Sequence, residues 1–291
     1  MSKIAITGAT GQLGEMTILH LLERNVSAGD MIAVVRNPEK AKPLADLGLQ
    51  IRYGDYEDEA SMLAAFENVD KLLFISSPSL DNTHRIAQHA RVVEAARDAK
   101  VGFIAYTSLA FPEKSALGLE NLHLATEYAI RTTGIPYTFL RNGFYMDILV
   151  NPGLHGVIES GELVSASAGA KVNYVTRNDL ALAAANVLTG SGHECQTYEL
   201  AHPHPFTYDE FVQILSEVSG TLVKHADLSS EQAYERLVAT GTPGAAAAFM
   251  TQAIYPAIAA GQFSFASEDL VKLIGNRFTT VKAALEQFMG K

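Results

Sequence analysis

Short apolar runs alternate with amphipathic stretches through the first half of the chain. Ile4–Thr7, Met31–Val35, Gln50–Tyr53, Lys71–Ser76, Phe103–Ser108 and Tyr137–Leu140 read as strands. Between them, Gln12–Arg24, Pro38–Leu47, Ala60–Phe66, His84–Ala99 and Leu119–Thr133 carry apolar residues three and four apart, as at Met16, Leu19 and Leu22. That spacing is the period of a helix with one buried face. Strand and helix at this cadence predict a doubly wound parallel α/β sheet with right-handed crossovers. Beyond Arg141 the pattern loosens. Residues 151–173 are rich in Gly, Ser and Ala and read as loop with short strands. Arg177–Thr189 reads as a helix and Thr197–Leu200 as a late strand. Thr207–Ser219 is amphipathic, with Thr207 and Glu210 spaced as a capping box. The Ala-rich segment Gly244–Ala260 is expected to be helical. No internal repeat is visible.

Composition narrows the class. A chain of 291 residues with 48% hydrophobic residues buries one large core, or a core and a satellite lobe. The formal net charge of −10, without a Lys/Arg cluster, argues against a nucleic-acid partner. The single cysteine, Cys195, rules out an internal disulfide and makes no zinc site by itself. His202-Pro203-His204 lacks a third ligand at metal spacing, so no metal is expected. No apolar run approaches membrane-spanning length, and the first strand-like run starts at Lys3, so no signal peptide is expected and the cytoplasm is the expected location. Met146, Met250 and Met289 read as packing residues.

The strongest chemical signal follows the first strand. Gly8-Ala9-Thr10-Gly11-Gln12-Leu13-Gly14 has the spacing G-x-x-G-x-x-G and opens a helix. Gly8 allows a tight turn, Gly11 lets backbone approach a pyrophosphate, and Gly14 lets the helix pack close to the sheet. The unpaired N–H groups of the helix start then meet the anion. This is a Rossmann-type dinucleotide site. At the end of the second strand an NAD-binding fold places an acid, whereas here Val34-Val35-Arg36-Asn37 offers Arg36, whose guanidinium matches a 2′-phosphate. NADP(H) is therefore expected in preference to NAD(H). Gly54-Asp55-Tyr56 ends the third strand. Asp55 could bond the adenine amino group and Tyr56 cover the ring, or the segment is a turn and a helix cap. Ser76 and Ser77 close the fourth strand and Thr107 and Ser108 the fifth, near the expected ribose. A nucleotide-binding domain over residues 1–145, with later contributions from about 171–200, and a smaller mixed α/β substrate lobe over 146–291 follow from this layout, with the ligand between them.

Many reductases of this architecture pair a Tyr with a Lys four residues later to protonate a carbonyl oxygen. No lysine here has a Tyr four residues before it. On the equivalent helix stand His123 and Glu127, which share a helical face. They are candidates for a proton shuttle or for holding the nicotinamide ribose, with a surface pair as the bland alternative. Without a strong acid, acceptors that need none are favoured: a quinone delocalises the product anion, and a cationic dye is simply neutralised.

Taken together, Ala5 to Gly14, Val35-Arg36-Asn37-Pro38, Gly54-Asp55-Tyr56, Tyr106-Thr107-Ser108, Tyr137 to Gly143 and Val175-Thr176-Arg177-Asn178 resemble the NmrA-like branch of the short-chain dehydrogenase/reductases. Within it the likeness is to type 2 NAD(P)H:quinone oxidoreductases and triphenylmethane reductases, from Met1 to about Ile274. The resemblance implies flavin-free, NADPH-dependent hydride transfer to a quinone or cationic aromatic acceptor. It places the segment Leu140, Arg141, Asn142, Gly143 near the nicotinamide and Arg177 on the cofactor, so Asn142 and Tyr145 join the catalytic candidates. Tyr145 and Met146, with Phe144, would border the acceptor pocket. The Phe111-Pro112-Glu113-Lys114 loop and the Gly244–Ala260 segment depart from the pattern, the latter as a reshaped lid. A non-catalytic NADP(H) sensor with a protein partner is the alternative from another class. A carbonyl reductase or nucleotide-sugar epimerase is the third reading, weakened by the missing pair. A homodimer is compatible with any of them.

Overall fold

The computed structural model describes Ser2–Lys291. The strands predicted first have the predicted bounds: β1 (Ile4–Thr7), β2 (Met31–Val35) and β3 (Gln50–Tyr53). β4 (Lys71–Phe74), β5 (Phe103–Leu109) and β6 (Tyr137–Asn142) follow, then the two-residue β7 (Phe144–Tyr145), β8 (Glu162–Ser165), β9 (Tyr174–Val175), β10 (Gln196–Leu200) and β11 (Lys224–Asp227). Seven of them form one parallel sheet in the order β10-β6-β5-β4-β1-β2-β3. The strand order reverses between β1 and β4, and the carboxyl ends of those two strands open the crevice where α/β sheets bind ligands.

β4 stops two residues short of the expected Ser76. The N–H groups that would continue its ladder donate to side chains instead: Ile75 to Thr7 Oγ1 at 2.9 Å and Ser76 to Thr107 Oγ1 at 3.0 Å. β6 runs two residues longer than expected, because β5 and β10 pair with it on both sides as far as Asn142.

The helices cover both faces of the sheet. α1 (Gln12–Glu23), α2 (Lys42–Asp46), α3 (Glu59–Ala65), α4 (Asn82–Asp98) and α5 (Leu119–Thr132) are the crossovers, and α6 (Leu154–Ser160) precedes β8. α7 (Arg177–Thr189) lies against α1, where Leu180, Ala181 and Ala184 share a core with Ile18 and Leu21. On the opposite face Met62, Phe66, Val92, Ala96 and Ile130 pack over Phe74, Tyr106 and Phe139. The expected helix over Pro38–Leu47 divides into a 3₁₀ turn capped by Asn37 and the short α2, which starts around Pro43.

A second core lies in the C-terminal lobe, among α8 (Tyr208–Ser219), α9 (Ser230–Ala239), α10 (Gly244–Phe249), α11 (Tyr255–Ala259) and α13 (Val281–Phe288). The Thr207 and Glu210 side chains form the expected reciprocal cap of α8, each accepting from the other's N–H. α10 and α11 join through a π-helical turn, Met250–Ile254, which precedes Pro256, a residue with no N–H to continue the α ladder. α12 (Asp269–Ile274) returns to the nucleotide-binding half, where Leu270 and Ile274 enter the core of α7. β7 pairs with β9 and β8 with β11, so two short parallel ladders hold the lobe beside the main sheet. No helix among the described residues is long and apolar enough to cross a membrane.

Candidate functional site

The turn after β1 is built for close approach. Gly8 has a left-handed backbone, φ +59°, and a Cβ there would lie 3.6 Å from the Ile75 side chain. Its carbonyl accepts from Gly11 N–H at 2.9 Å, which closes the turn. A Cβ on Gly14 would stand 2.5 Å from that carbonyl and 2.9 Å from Ala9 Cα, so only glycine lets α1 start there. Gly11 caps α1 with no side chain, so the first N–H groups of the helix remain available to an anion. Thr7 ties the floor together. Its Oγ1 accepts from Ile75 N–H and from Tyr56 Oη at 2.6 Å, bridging β1, β4 and the end of β3 at the switch point.

A cavity of about 500 Å³ opens from this turn. Gly8, Gly11, Gln12, Leu13 and Gly14 form one end, and Ser76 and Ser77 one wall. Ser108 and His123 stand beyond, and Asn142, Gly143, Tyr145 and Arg177 close the other side. The structure thus brings together residues from four strand ends and from α5 and α7. Phe144 stands at the mouth as expected, and the structure adds Ile148 there and Arg85 from α4, which the sequence reading did not single out. Among the described residues no carboxylate and no lysine lines the cavity.

The remaining expected residues lie around the cavity rather than on its wall. Arg36 is exposed just past β2, and among the described residues its guanidinium has no ion pair. It stands near enough to Tyr56 for its charge to act on that phenol, although burial dominates and raises the Tyr56 pKa. The Tyr56 hydroxyl points inward to Thr7 and Ile75, and the ring meets Phe74 edge-on. Asp55 Oδ1 accepts from Glu57 N–H, as a turn-and-cap residue does. Thr10 belongs to the loop, Thr107 is buried holding Ser76, and Leu140 is buried in the core under the sheet.

His123 and Glu127 are both buried, so they are not a surface pair, and they face different partners. His123 Nδ1 and the Tyr106 hydroxyl share a hydrogen bond at 2.9 Å, and with the hydroxyl donating the ring proton sits on Nε2. Its Nε2 is left without a protein partner, and the ring lines the cavity. Burial, with Arg85 nearby, pushes its pKa down to about 3, so the imidazole is neutral and presents an N–H donor. Glu127 instead sits behind the wall, accepting from Ser108 Oγ at 2.6 Å and from Arg141 Nε and Nη2 at 2.9 and 2.8 Å. Arg141 also binds Glu113 and Glu199. Burial works against that cation, but the carboxylates outweigh it and hold the guanidinium protonated.

Tyr145 is covered by Arg177, whose guanidinium lies 4.0 Å from the ring centre and pairs with Asp147. Phe144 stacks on Phe263 at 3.9 Å. Met146 is packed in the C-terminal core, away from the cavity. The Phe111–Lys114 loop is pinned by Phe111 N–H donating to Glu199 and by Glu113 on Arg141. The π-helical turn and its neighbours line a second cavity of about 920 Å³, which shares Ile148 with the first. His204 N–H donates to His202 Nδ1, a local turn contact, and no metal-binding cluster occurs among the described residues.

The residues present fit a dinucleotide. The Gly14 cradle admits no Cβ, and the helix start leaves donors free. Comparison with known proteins agrees. The NmrA-like family matches residues 1–271. Quinone oxidoreductase 2 of Escherichia coli (strain K12) is 40% identical over 278 residues, 96% of each chain. The solved triphenylmethane reductase of Citrobacter sp. complexed with NADP(H) superposes with a TM-score of 0.94 at 53% identity, covering 98% of this chain and 99% of that one. The NADPH-dependent quinone oxidoreductase of Escherichia coli complexed with NADPH gives 0.89 at 38%, with coverage of 98% and 99%.

Proposed function

Since the chain belongs to the NmrA-like family and is an oxidoreductase, we propose that it reduces a quinone or cationic aromatic acceptor with NADPH and without flavin. The observation that supports this most is the single cavity that joins the phosphate loop to an aromatic mouth, Phe144 and Tyr145, with no Tyr–Lys pair on its wall. NADPH, when bound, supplies a hydride. The chain's own part is to hold and orient. The N–H groups after Gly11 take the pyrophosphate, and Arg36 takes the 2′-phosphate that distinguishes NADP(H) from NAD(H). Asn142, Gly143 and Arg177 flank the nicotinamide end. There the neutral His123 offers Nε2–H to an acceptor oxygen, a hydrogen bond that strengthens as negative charge develops. Glu127, neutralised by Arg141, acts through Ser108 and the α5 backbone as a positioning residue.

The test follows the near-ultraviolet absorbance of reduced dinucleotide with NADPH and NADH in parallel, against neutral quinones and triarylmethane dyes, in protein freed of flavin. Turnover with NADPH at full rate without flavin is the expected result. Tight NADPH binding with no turnover on any acceptor would move the reading to a cofactor sensor.

A further inference from the structure

Arg85 stands in the first turn of α4 and is only 9% exposed. It lines the cavity beside Ser77, His123 and Tyr145. Among the described residues its side chain makes one hydrogen bond, a long one of 3.4 Å from Nη1 to Asn82 Oδ1, and its Nε is buried with no partner. Among the described residues no carboxylate pairs with it. The contrast with Arg141, which is equally buried and binds three carboxylates, is direct. Burial lowers the Arg85 pKa, and its charge in turn helps depress that of His123. A guanidinium keeps its charge under such conditions, so the cavity wall carries a positive charge that no carboxylate among the described residues balances.

We propose that Arg85 selects the charge class of the hydride acceptor: the cavity takes quinones and other acceptors that become, or already are, anionic, and it disfavours cationic dyes. This rests on the reductase reading and decides between its two acceptor classes. A quinone that takes up a hydride gains one hydrogen nucleus and two electrons while NADPH becomes NADP⁺. The C–H bond on the dihydronicotinamide breaks, the hydrogen ends bonded to the quinone, and the electron pair rests on its oxygens as a hydroquinone monoanion, which then takes one proton from solvent. Arg85 supplies the missing counter-charge to that monoanion as it forms. A triarylmethane cation becomes neutral on the same transfer, so Arg85 repels it before reaction and gains nothing from its product.

The test compares the wild type with Arg85→Leu and with Arg85→Lys, which keeps the charge. Equilibrium dialysis against the NADP⁺-loaded protein uses anthraquinone-2-sulfonate as the anionic probe and malachite green as the cationic one. kcat/KM is measured with NADPH for menadione and for the dye. We expect Arg85→Leu to weaken sulfonate binding and menadione turnover by about tenfold or more, and to strengthen dye binding by a similar factor. Arg85→Lys should keep most of the wild-type preference, and the NADPH Kd should be unchanged in both variants. An unchanged quinone-to-dye ratio in Arg85→Leu would overturn the proposal. So would a loss of NADPH affinity parallel to that of the acceptors, which would put the guanidinium on the cofactor. A wild type that turns over neither acceptor counts against the reductase reading alone, because the dialysis still decides charge selection.

Discussion

At the residue scale, Arg36 is where cofactor choice becomes measurable. It is exposed past β2, where a dinucleotide-binding fold meets the adenosine ribose. A hydrogen bond to a charged group contributes about 1.5–3 kcal/mol, so Arg36→Ala should raise the NADPH Kd by roughly ten- to hundredfold. The NADH Kd should stay where it is, because no 2′-phosphate is lost. Fluorescence titration of the reduced dinucleotides checks both, and an equal loss for the two would show that Arg36 reads something other than the phosphate.

At the scale of elements, the β4–α4–β5 junction shapes the cavity wall, and His89 is its pin. Ser77 N–H donates to His89 Nε2 at 2.9 Å, while the Nδ1–H is turned to Thr126 Oγ1 at 2.9 Å. A proton on Nε2 would face the Ser77 N–H, so only the neutral ring fits. Burial, with His123 and Arg85 adding to it, lowers the His89 pKa to about 3. The unfolded chain therefore binds more protons than the folded one. The stability tied to neutral His89 is complete above its unfolded pKa, near 6.5, and is lost as pH falls from there toward 3, at up to about 1.4 kcal/mol per pH unit. His123 acts in the same direction. Urea denaturation at pH 7.5 and pH 5 should show the wild type losing stability over that interval and His89→Gln losing less. An identical slope in the variant would remove His89 from the account.

At the scale of the whole molecule, the cavity draws its two sides from different parts of the fold. The glycine turn and Ser76–Ser77 belong to the main sheet, whereas Phe144, Tyr145 and Ile148 lead into the C-terminal lobe, and β7 is paired with β9 next to Arg177. NADPH bound there should slow hydrogen exchange both at residues 8–14 and across residues 143–148 and 174–179. Protection confined to residues 8–14 would mean that the lobe takes no part in holding the cofactor.

How much of this was legible beforehand follows from range. Strands β1 to β3, the glycine turn after β1, α7 and the capping box of α8 were readable, because their signals are local: an apolar period, a glycine spacing, a cap three residues from its partner. The position of Arg85 carried a trace of its burial, since a cation four residues before His89 and seven before Val92 falls on the buried face of α4. Periodicity alone reads such a residue as an exception at a helix start. That His123 faces the cavity while Glu127 turns to Arg141 was not readable, although both sit on one helical face. Their partners, Tyr106 and Arg141, come from strands 17 and 14 residues away, and only the register of β5 against β6 decides which side chain lies behind which. β7, β9 and β11 escape for the same reason, and β8 was legible only as an unplaced short strand within residues 151–173, since none carries an apolar run of its own and each is specified by the neighbour it pairs with. The sequence by itself determined the sheet, the glycine turn after β1 and the place of Arg36 just past β2, because each is written within one or two turns of chain. Tertiary structure alone decided which charges are balanced and which are left facing the cavity, because burial and counter-charge depend on residues that meet only after the chain has folded.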